Sequence, residues 1–340
     1  MTSATPTLTG STQPSGLEPS LRCRVVRRRD HDRTHQPDQM DADTLARDFD
    51  EYRPRLLGIA YRMMGSAWDA EDIVAEAMIR WMGVDREQIR EPLAFLTTVV
   101  TRLAIDQLRS ARATRETYVG EWLPEPVVTD SSGLGPLDTV ERRDTVSLAT
   151  LRMMEALTPP ERAVLVLHEA FGMSHGEVAD IIGISEAGAR QHLRRARTHL
   201  DRDVGRSRHT MHDEALERFL MALENGDLAQ VQDLLAADVA SYSDGGGKAH
   251  AARRPVLGAE HIVEFVGTLR RHLPVRDVRR VDVNGQRAAT LWFGRQFVLL
   301  ALDVRGDKIR EIHWIMNPDK LRYLHQQLAD ANEASPRTPS

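Results

Sequence analysis

The sequence predicts a multidomain fold: two all-α domains, the second carrying a helix-turn-helix, followed by an α+β domain. Three observations carry this. Amphipathic helical spacing runs from Phe49 to Leu103, and helix caps flank a glycine turn between Thr158 and Leu200. Beyond Val275 the apolar period shifts toward two, with hairpin turns at Asn284-Gly285 and Arg305-Gly306-Asp307. Helices first and an antiparallel meander second make the last domain α+β. The totals agree: 340 residues suit two or three modest domains, and 41% hydrophobic content permits real cores.

The same totals exclude several classes. No apolar run is long enough to span a membrane. A net charge of −5 argues against a protein that coats DNA unaided, so basic residues must act by placement. The lysines are Lys248, Lys308 and Lys320, so the abundance of arginine follows composition, and its position is what informs. The single cysteine, Cys23, excludes internal disulfides and cysteine metal clusters and fits a reducing cytoplasm. His250, His261 and His272 lack metal-ligand spacing, and neither metal nor cofactor is expected.

Residues 1–40 are rich in Thr, Ser, Pro and charge without apolar periodicity, a disordered tail. Met40 directly precedes the first structured segment, which makes it a candidate translation start. The first helical domain covers 41–116. Phe49, Leu56, Leu57, Ala60 and Met63-Met64 share one helix ending near Gly65-Ser66. Trp68 to Asp72 opens an acidic-fronted helix, Ile73 to Met82, where Asp69, Glu71 and Asp72 suit the helix dipole. Pro92 starts a third helix with Leu93, Leu96, Val100 and Leu103 inward and a basic C-terminal end.

The linker, 117–140, holds Pro124, Pro126, Gly133, Gly135 and Pro136, which forbid a continuous helix. Trp122 and Leu123 are large apolar groups in an extended stretch, so they are expected to dock on something. The second helical domain covers 141–205. Thr158, Pro159 and Glu161 start one helix; Ser174 and Glu177 cap a second; Gly183 turns the chain; Ser185 caps a third. On that third helix Ala189, Leu193, Ala196 and Leu200 form a core stripe. Arg190, Gln191, Arg194, Arg195 and Arg197 lie away from it, where Arg reads guanine and Gln reads adenine in a major groove. Residues 211–325 form the third domain. It opens with a helix through Leu216, Phe219 and Leu223, and its strands are expected near 239–242, 275–283, 288–293, 297–304 and 308–316. Residues 326–340 read as a second disordered tail.

The stretch LTPPERAVLVLHEAFGMSHGEVADIIGISEAGARQHLRRARTHL resembles the second conserved domain of extracytoplasmic-function sigma factors, which recognises the −35 promoter element. FDEYRPRLLGIAYRMMGSAWDAEDIVAEAMIRWM with AFLTTVVTRLAIDQLRSARATRE resembles their first conserved domain. Residues 211–325 resemble a SnoaL-like domain, a cone of curved sheet wrapped by helices around a pocket. WLPEP at 122–126, DGGGK at 244–248 and NPDKL at 317–321 resemble signatures of the subgroup carrying that domain at its C-terminus.

The resemblance implies roles. The helix bearing Asp69, Glu71, Asp72 and Glu76 would dock on core RNA polymerase. Thr98, Arg102 and Asp106 would meet a melted −10 strand, with Arg109 on phosphate. Arg190, Gln191, Arg194 and Arg195 would read the −35 duplex, with Ala187 and Gly188 allowing close approach. Regulatory contacts are expected from Trp122, Leu123 and Pro124, from Asp244, Gly245, Gly246, Gly247 and Lys248, and from Asn317, Pro318, Asp319 and Lys320. Lys248 has the chemistry to hold an anion, and the glycine loop is expected to reach Trp122. The loop is not a P-loop, because Ala249 follows the lysine. Partners would be core polymerase, promoter DNA and an unidentified small ligand in the cone; no catalysis is expected. Two rivals stay open: a dimeric helix-turn-helix activator acting without replacing sigma, and a DNA-tethered SnoaL-type enzyme using His313 or Asp303.

Overall fold

A computed structural model describes residues 39–85, 89–129, 145–201 and 209–334. The expected tail before Gln39, Cys23, and residues 130–144 of the linker and the following domain lie outside the described residues.

The first domain is α1 (Gln39–Met64), α2 (Ala67–Met82) and α3 (Pro92–Glu116). Gly65, with φ of 67°, turns the chain, and the Ser66 hydroxyl accepts from the Asp69 amide at 3.2 Å. α2 therefore starts at Ala67, ahead of the expected Ile73, because Ser66 is the cap and the acidic residues form the first turns. The second domain is α4 (Leu148–Met153), α5 (Pro159–Leu165), α6 (His175–Ile182) and α7 (Glu186–Asp201), with a π-helical turn over Val166–Ala170 extending α5. The Glu161 carboxylate accepts from both the Thr158 amide and its hydroxyl, and Ser174 with Glu177 closes a reciprocal capping box. Gly183 adopts φ of 75°, the left-handed turn that admits glycine without penalty. The apolar faces of α1 to α7 merge into one core that runs from Phe49 to Leu200, so the two helical domains pack as neighbours.

The third domain comprises α8 (His209–Asn225), α9 (Leu228–Leu234), β1 (Leu235–Asp244), β2 (Val256–Leu257), α10 (Ala259–His272), β3 (Val275–Val283), β4 (Gln286–Phe293), β5 (Gln296–Arg305), β6 (Lys308–Ile315) and α11 (Pro318–Ala334). Its sheet runs β2-β1-β6-β5-β4-β3. β3 to β6 form the expected antiparallel meander, yet β1 lies parallel to β6, so the sheet is mixed. The intervening α10 and the meander return the chain in the same direction, which a hairpin cannot do. The expectation of a disordered tail from 326 is corrected: α11 continues to Ala334, and Gln327 on it is buried. Leu324 and Leu321 one turn apart supply the apolar face that holds this helix down. A separate apolar seam joins linker, sheet and α11 through Leu123, Val128, Leu148, Leu299, Ile315 and Leu324. Among the described residues, no helix is long and apolar enough to cross a membrane.

Candidate nucleic-acid interfaces and the interdomain strap

The face of α7 separates as its spacing requires. Ala189, Leu193, Ala196 and Leu200 are buried, while Arg190, Gln191, Arg194 and Arg195 are exposed. Gln191, Arg194, Arg195, Thr198 and His199 line one shallow concavity of about 320 Å³. Arg190 pairs with Glu186 one turn earlier, and Arg195 stands 3.7 Å from Glu161 at the base of the motif. Ala187 is exposed at the helix start, and the Gly188 amide donates to the Ser185 hydroxyl at 3.1 Å, closing the cap. The carboxyl of Glu161 is held below its usual range by the Thr158 hydrogen bonds and nearby His192 and Arg195, against the opposing effect of desolvation.

On α2, Asp72 is exposed, Glu76 pairs with Arg80 at 3.0 Å, and Glu71 pairs with Arg53. On the same helix Trp68, Ile79 and Met82 expose 39%, 67% and 43% of their surface, large apolar groups interspersed among these acids. Periodicity did not single these three out. On α3, the Thr98 hydroxyl donates to the Ala94 carbonyl at 2.8 Å, and Arg109 pairs with Asp106 at 3.2 Å. Arg102 is engaged differently: its Nε donates to the Ile181 carbonyl of α6 at 2.9 Å, tying the first domain to the helix-turn-helix.

The linker after α3 is an extended strap seated between all three domains. Its Leu123 amide donates to the Asp244 carboxylate at 2.9 Å, and Leu123 itself is 1% exposed. The same carboxylate, fully buried, accepts from the Tyr118 hydroxyl and from Lys320 Nζ, both at 2.6 Å. Lys320 also donates to the Leu123 carbonyl and lies 4.0 Å from the Trp122 ring centroid. Asn317 donates its amide to Tyr118 at 2.8 Å. The docking expected of Trp122 and Leu123 is thus made through Asp244 and Lys320. The glycine loop meets the strap through Asp244, while Lys248 pairs with Asp319 at the surface. Gly246 adopts φ of 56°, and a Cβ there would run into the Asn317 amide, which explains the residue type between the two signatures.

Farther along, Glu125 caps α2: its carboxylate accepts from the Ala67 amide at 2.7 Å, and its amide donates to Gly65 at 2.8 Å. Pro124 is buried beside it. Burial pushes the Glu125 carboxyl up despite those bonds. Asn284, expected only as a turn residue, proves central. Its Nδ2 donates to the Tyr61 hydroxyl at 2.6 Å and to the Val146 carbonyl at 2.9 Å, while its Oδ1 accepts from the Val127 amide at 3.0 Å. One side chain so joins the first domain, the second domain and the strap. α11 completes the seam: Gln327 accepts from the Val128 amide at 2.8 Å, Tyr323 donates to Glu71 at 3.2 Å, and the Tyr323 and Trp68 rings meet edge to face at 5.3 Å. These partners are distant in sequence, and no local pattern signals them.

The acid-base candidates of the third domain sit in structural contacts. The His313 ring lies 2.9 Å from the Glu311 carboxylate, which also binds Arg152 of α4 at 2.5 Å. Asp303 pairs with Arg305, and burial raises its carboxyl above the usual range. Neither His313 nor Asp303 lines the apolar cavity of about 260 Å³ in the third domain, whose walls are mainly Phe265, Leu269, Leu273, Phe293 and Met316. No group of three or more His, Cys, Asp or Glu among the described residues is arranged to hold a metal.

Comparison with known proteins agrees with this architecture. The model of Sigma-70 region 2 matches residues 49–114, and that of Sigma-70, region 4 matches 147–200. The chain is 38% identical over 287 residues to ECF RNA polymerase sigma factor SigJ of Mycobacterium tuberculosis (strain ATCC 25618 / H37Rv), covering 80% of this chain and 92% of that one. It is 32% identical over 286 residues to the probable ECF RNA polymerase sigma factor SigI of Mycobacterium tuberculosis (strain CDC 1551 / Oshkosh), covering 82% and 94%. The crystal structure of Mycobacterium tuberculosis SigJ superposes with a TM-score of 0.67 at 35% identity, covering 81% of this chain and 98% of that chain. A relative matched along nearly its whole length, third domain included, leaves neither the activator nor the tethered enzyme as the better reading. The chain belongs to the extracytoplasmic-function RNA polymerase sigma factors, which direct core polymerase to promoters and initiate transcription.

Proposed function

We propose that this sigma factor is regulated in cis by its SnoaL-like domain, which holds the two DNA-reading domains and the strap in one closed unit. Asn284 carries the reading, since a single buried amide serves Tyr61, Val146 and Val127 at once. In the same unit Arg102 is committed to Ile181, and Tyr323 covers Glu71 on α2. Asp69, Glu71, Asp72 and Glu76 dock on core polymerase, with Ile79 and Met82 as the apolar centre of the contact. Thr98, Arg102, Asp106 and Arg109 meet the melted −10 strand, and Arg190, Gln191, Arg194 and Arg195 read the −35 duplex past Ala187 and Gly188. Trp122, Leu123, Pro124, residues 244–248 and residues 317–320 transmit the state of the third domain to the strap. The protein works in the cytoplasm with polymerase and performs no chemistry itself; the apolar cone admits a small ligand.

The test is run-off transcription with purified core polymerase on a set of promoters, including that of its own gene. Wild-type chain initiates, and Asn284→Gly changes the yield while its far-UV circular dichroism stays native. Glycine suits this position because Asn284 has φ of 56°, so the turn survives and only the amide is lost. Equal yield from both proteins at every polymerase concentration would count against regulation through this seam.

A further inference from the structure

A polar cleft lies beside the strap contacts described above. It opens between the start of the strap, at Val119 and Gly120, and the glycine loop of the third domain, with Ser243, Lys248, His250 and Arg253 in its walls. Its volume is about 270 Å³. One water needs on the order of 10–15 Å³, and drug-sized ligands occupy sites from about 300 Å³ upward. The cleft is therefore sized for a small molecule.

Two independent features define its chemistry. The first is charge: Lys248 and Arg253 are cations, His250 stands with them, and the lining contains no carboxylate. Of the nearby acids Asp244 is held by Lys320, while Asp319 pairs with Lys248 itself and with Arg322, so Arg253 is the cation of the lining that no described carboxylate neutralises. The second is an unpaired donor. Ser243 is 1% exposed, lines the cleft, and its hydroxyl has no hydrogen-bond partner. A buried hydroxyl without a partner is costly and calls for an acceptor. The glycines bring the loop to the strap: a Cβ on Gly247 would stand 3.3 Å from Val119, and one on Gly245 would strike the Ala249 carbonyl at 2.5 Å. The walls come from both sides of the seam, so whatever fills the cleft ties strap to third domain.

We propose that this cleft binds a small phosphate-bearing anion, with Arg253 supplying charge, Lys248 shared with Asp319, and Ser243 donating a hydrogen bond. It adjoins the apolar cavity, sharing His250, Ala251 and Ala252 with it, and does not depend on how the third domain regulates transcription. Isothermal titration of the full chain with inorganic pyrophosphate, at constant ionic strength, tests it. Saturable one-site binding is expected. Arg253→Ala, which removes an exposed side chain, should weaken it by roughly tenfold, as loss of a charge-assisted contact does. Ser243→Ala should weaken it by about threefold, the effect of one neutral hydrogen bond. Arg271→Ala on α10, outside the cleft, should leave affinity unchanged. Melting curves without pyrophosphate verify that each variant is folded. Absence of saturable binding to wild type, or equal affinity in wild type, Arg253→Ala and Ser243→Ala, would overturn the assignment.

Discussion

Glu311 shows how a single carboxylate couples two domains and sets a pH limit. It lies on β6 but binds Arg152 of the second helical domain at 2.5 Å, with His313 on its other side. The guanidinium of Arg152 also stacks 4.0 Å from the Tyr242 ring centroid. Although desolvation alone would raise the carboxyl, the His313 hydrogen bond and Arg152 hold it down at about 2, against 4.5 unperturbed. A depressed acid contributes stability that is complete above pH 4.5 and lost as the pH falls toward 2. At ~1.4 kcal/mol per unit the shift corresponds to about 3 kcal/mol. Glu125 and Asp303 act with the opposite sign, since burial raises both. A difference measurement isolates the effect. Glu311→Gln should be less stable than wild type in urea at pH 7, and the gap should shrink to under half of that by pH 3 and close only below about pH 2. A gap of equal size at both values would mean that packing, not charge, holds the pair. Asp244 offers a companion case. Asp244→Ala leaves Lys320 buried without its counter-charge, so urea unfolding should show a loss of about 3–5 kcal/mol.

Among the elements, α7 makes the most direct prediction. Gln191 and Arg194 project from its exposed face without a carboxylate partner of their own among the ion pairs that hold Arg190 and Arg197. Alanine at either position should cost about 1–3 kcal/mol of discrimination at one promoter base pair while leaving non-specific binding nearly intact. Competition assays of the polymerase complex on single-base promoter variants measure this, and a uniform loss across all variants would mean phosphate contact instead. This element was legible in the sequence because its caps, glycine turn and faces are all local: Ser174, Glu177, Gly183 and Ala189 each act within one or two turns. The hairpins at Asn284 and Gly306 were legible for the same reason. β1 was foreseen only in part, and its parallel pairing with β6 was not, because a crossover leaves no local mark. α11 was not foreseen, and the third domain was closed at residue 325, because the polar outer face of this helix reads as tail when the surface beneath it is unknown. Asn284 was seen as a turn former, and its amide contacts were hidden because Tyr61, Val146 and Val127 lie at least 138 residues away.

For the molecule as a whole, the closed arrangement sets an energetic threshold on activity. The helical domains share one apolar core, Arg102 bonds α6, and Asn284 and Tyr323 fasten the third domain to both. On the proposed reading these domains separate to reach two promoter elements at once, and a two-state equilibrium moves from 1:99 to 99:1 only when about 5.5 kcal/mol of differential binding is supplied. On the proposed reading, core polymerase and promoter DNA supply it, and every seam contact raises the amount required. Fluorophores placed at the exposed positions 110 on α3 and 180 on α6 report the separation by energy transfer. The free chain should give the short distance, and titration with core polymerase and promoter DNA should lengthen it cooperatively. Asn284→Gly and Tyr323→Ala each remove contacts of the seam while sparing the core of either helical domain. Both should shift the midpoint of that titration to lower polymerase concentration, and the double variant should shift it further. If the free wild-type chain already shows the long distance, or if neither variant moves the midpoint, the seam does not gate promoter reading, and the third domain acts by another route.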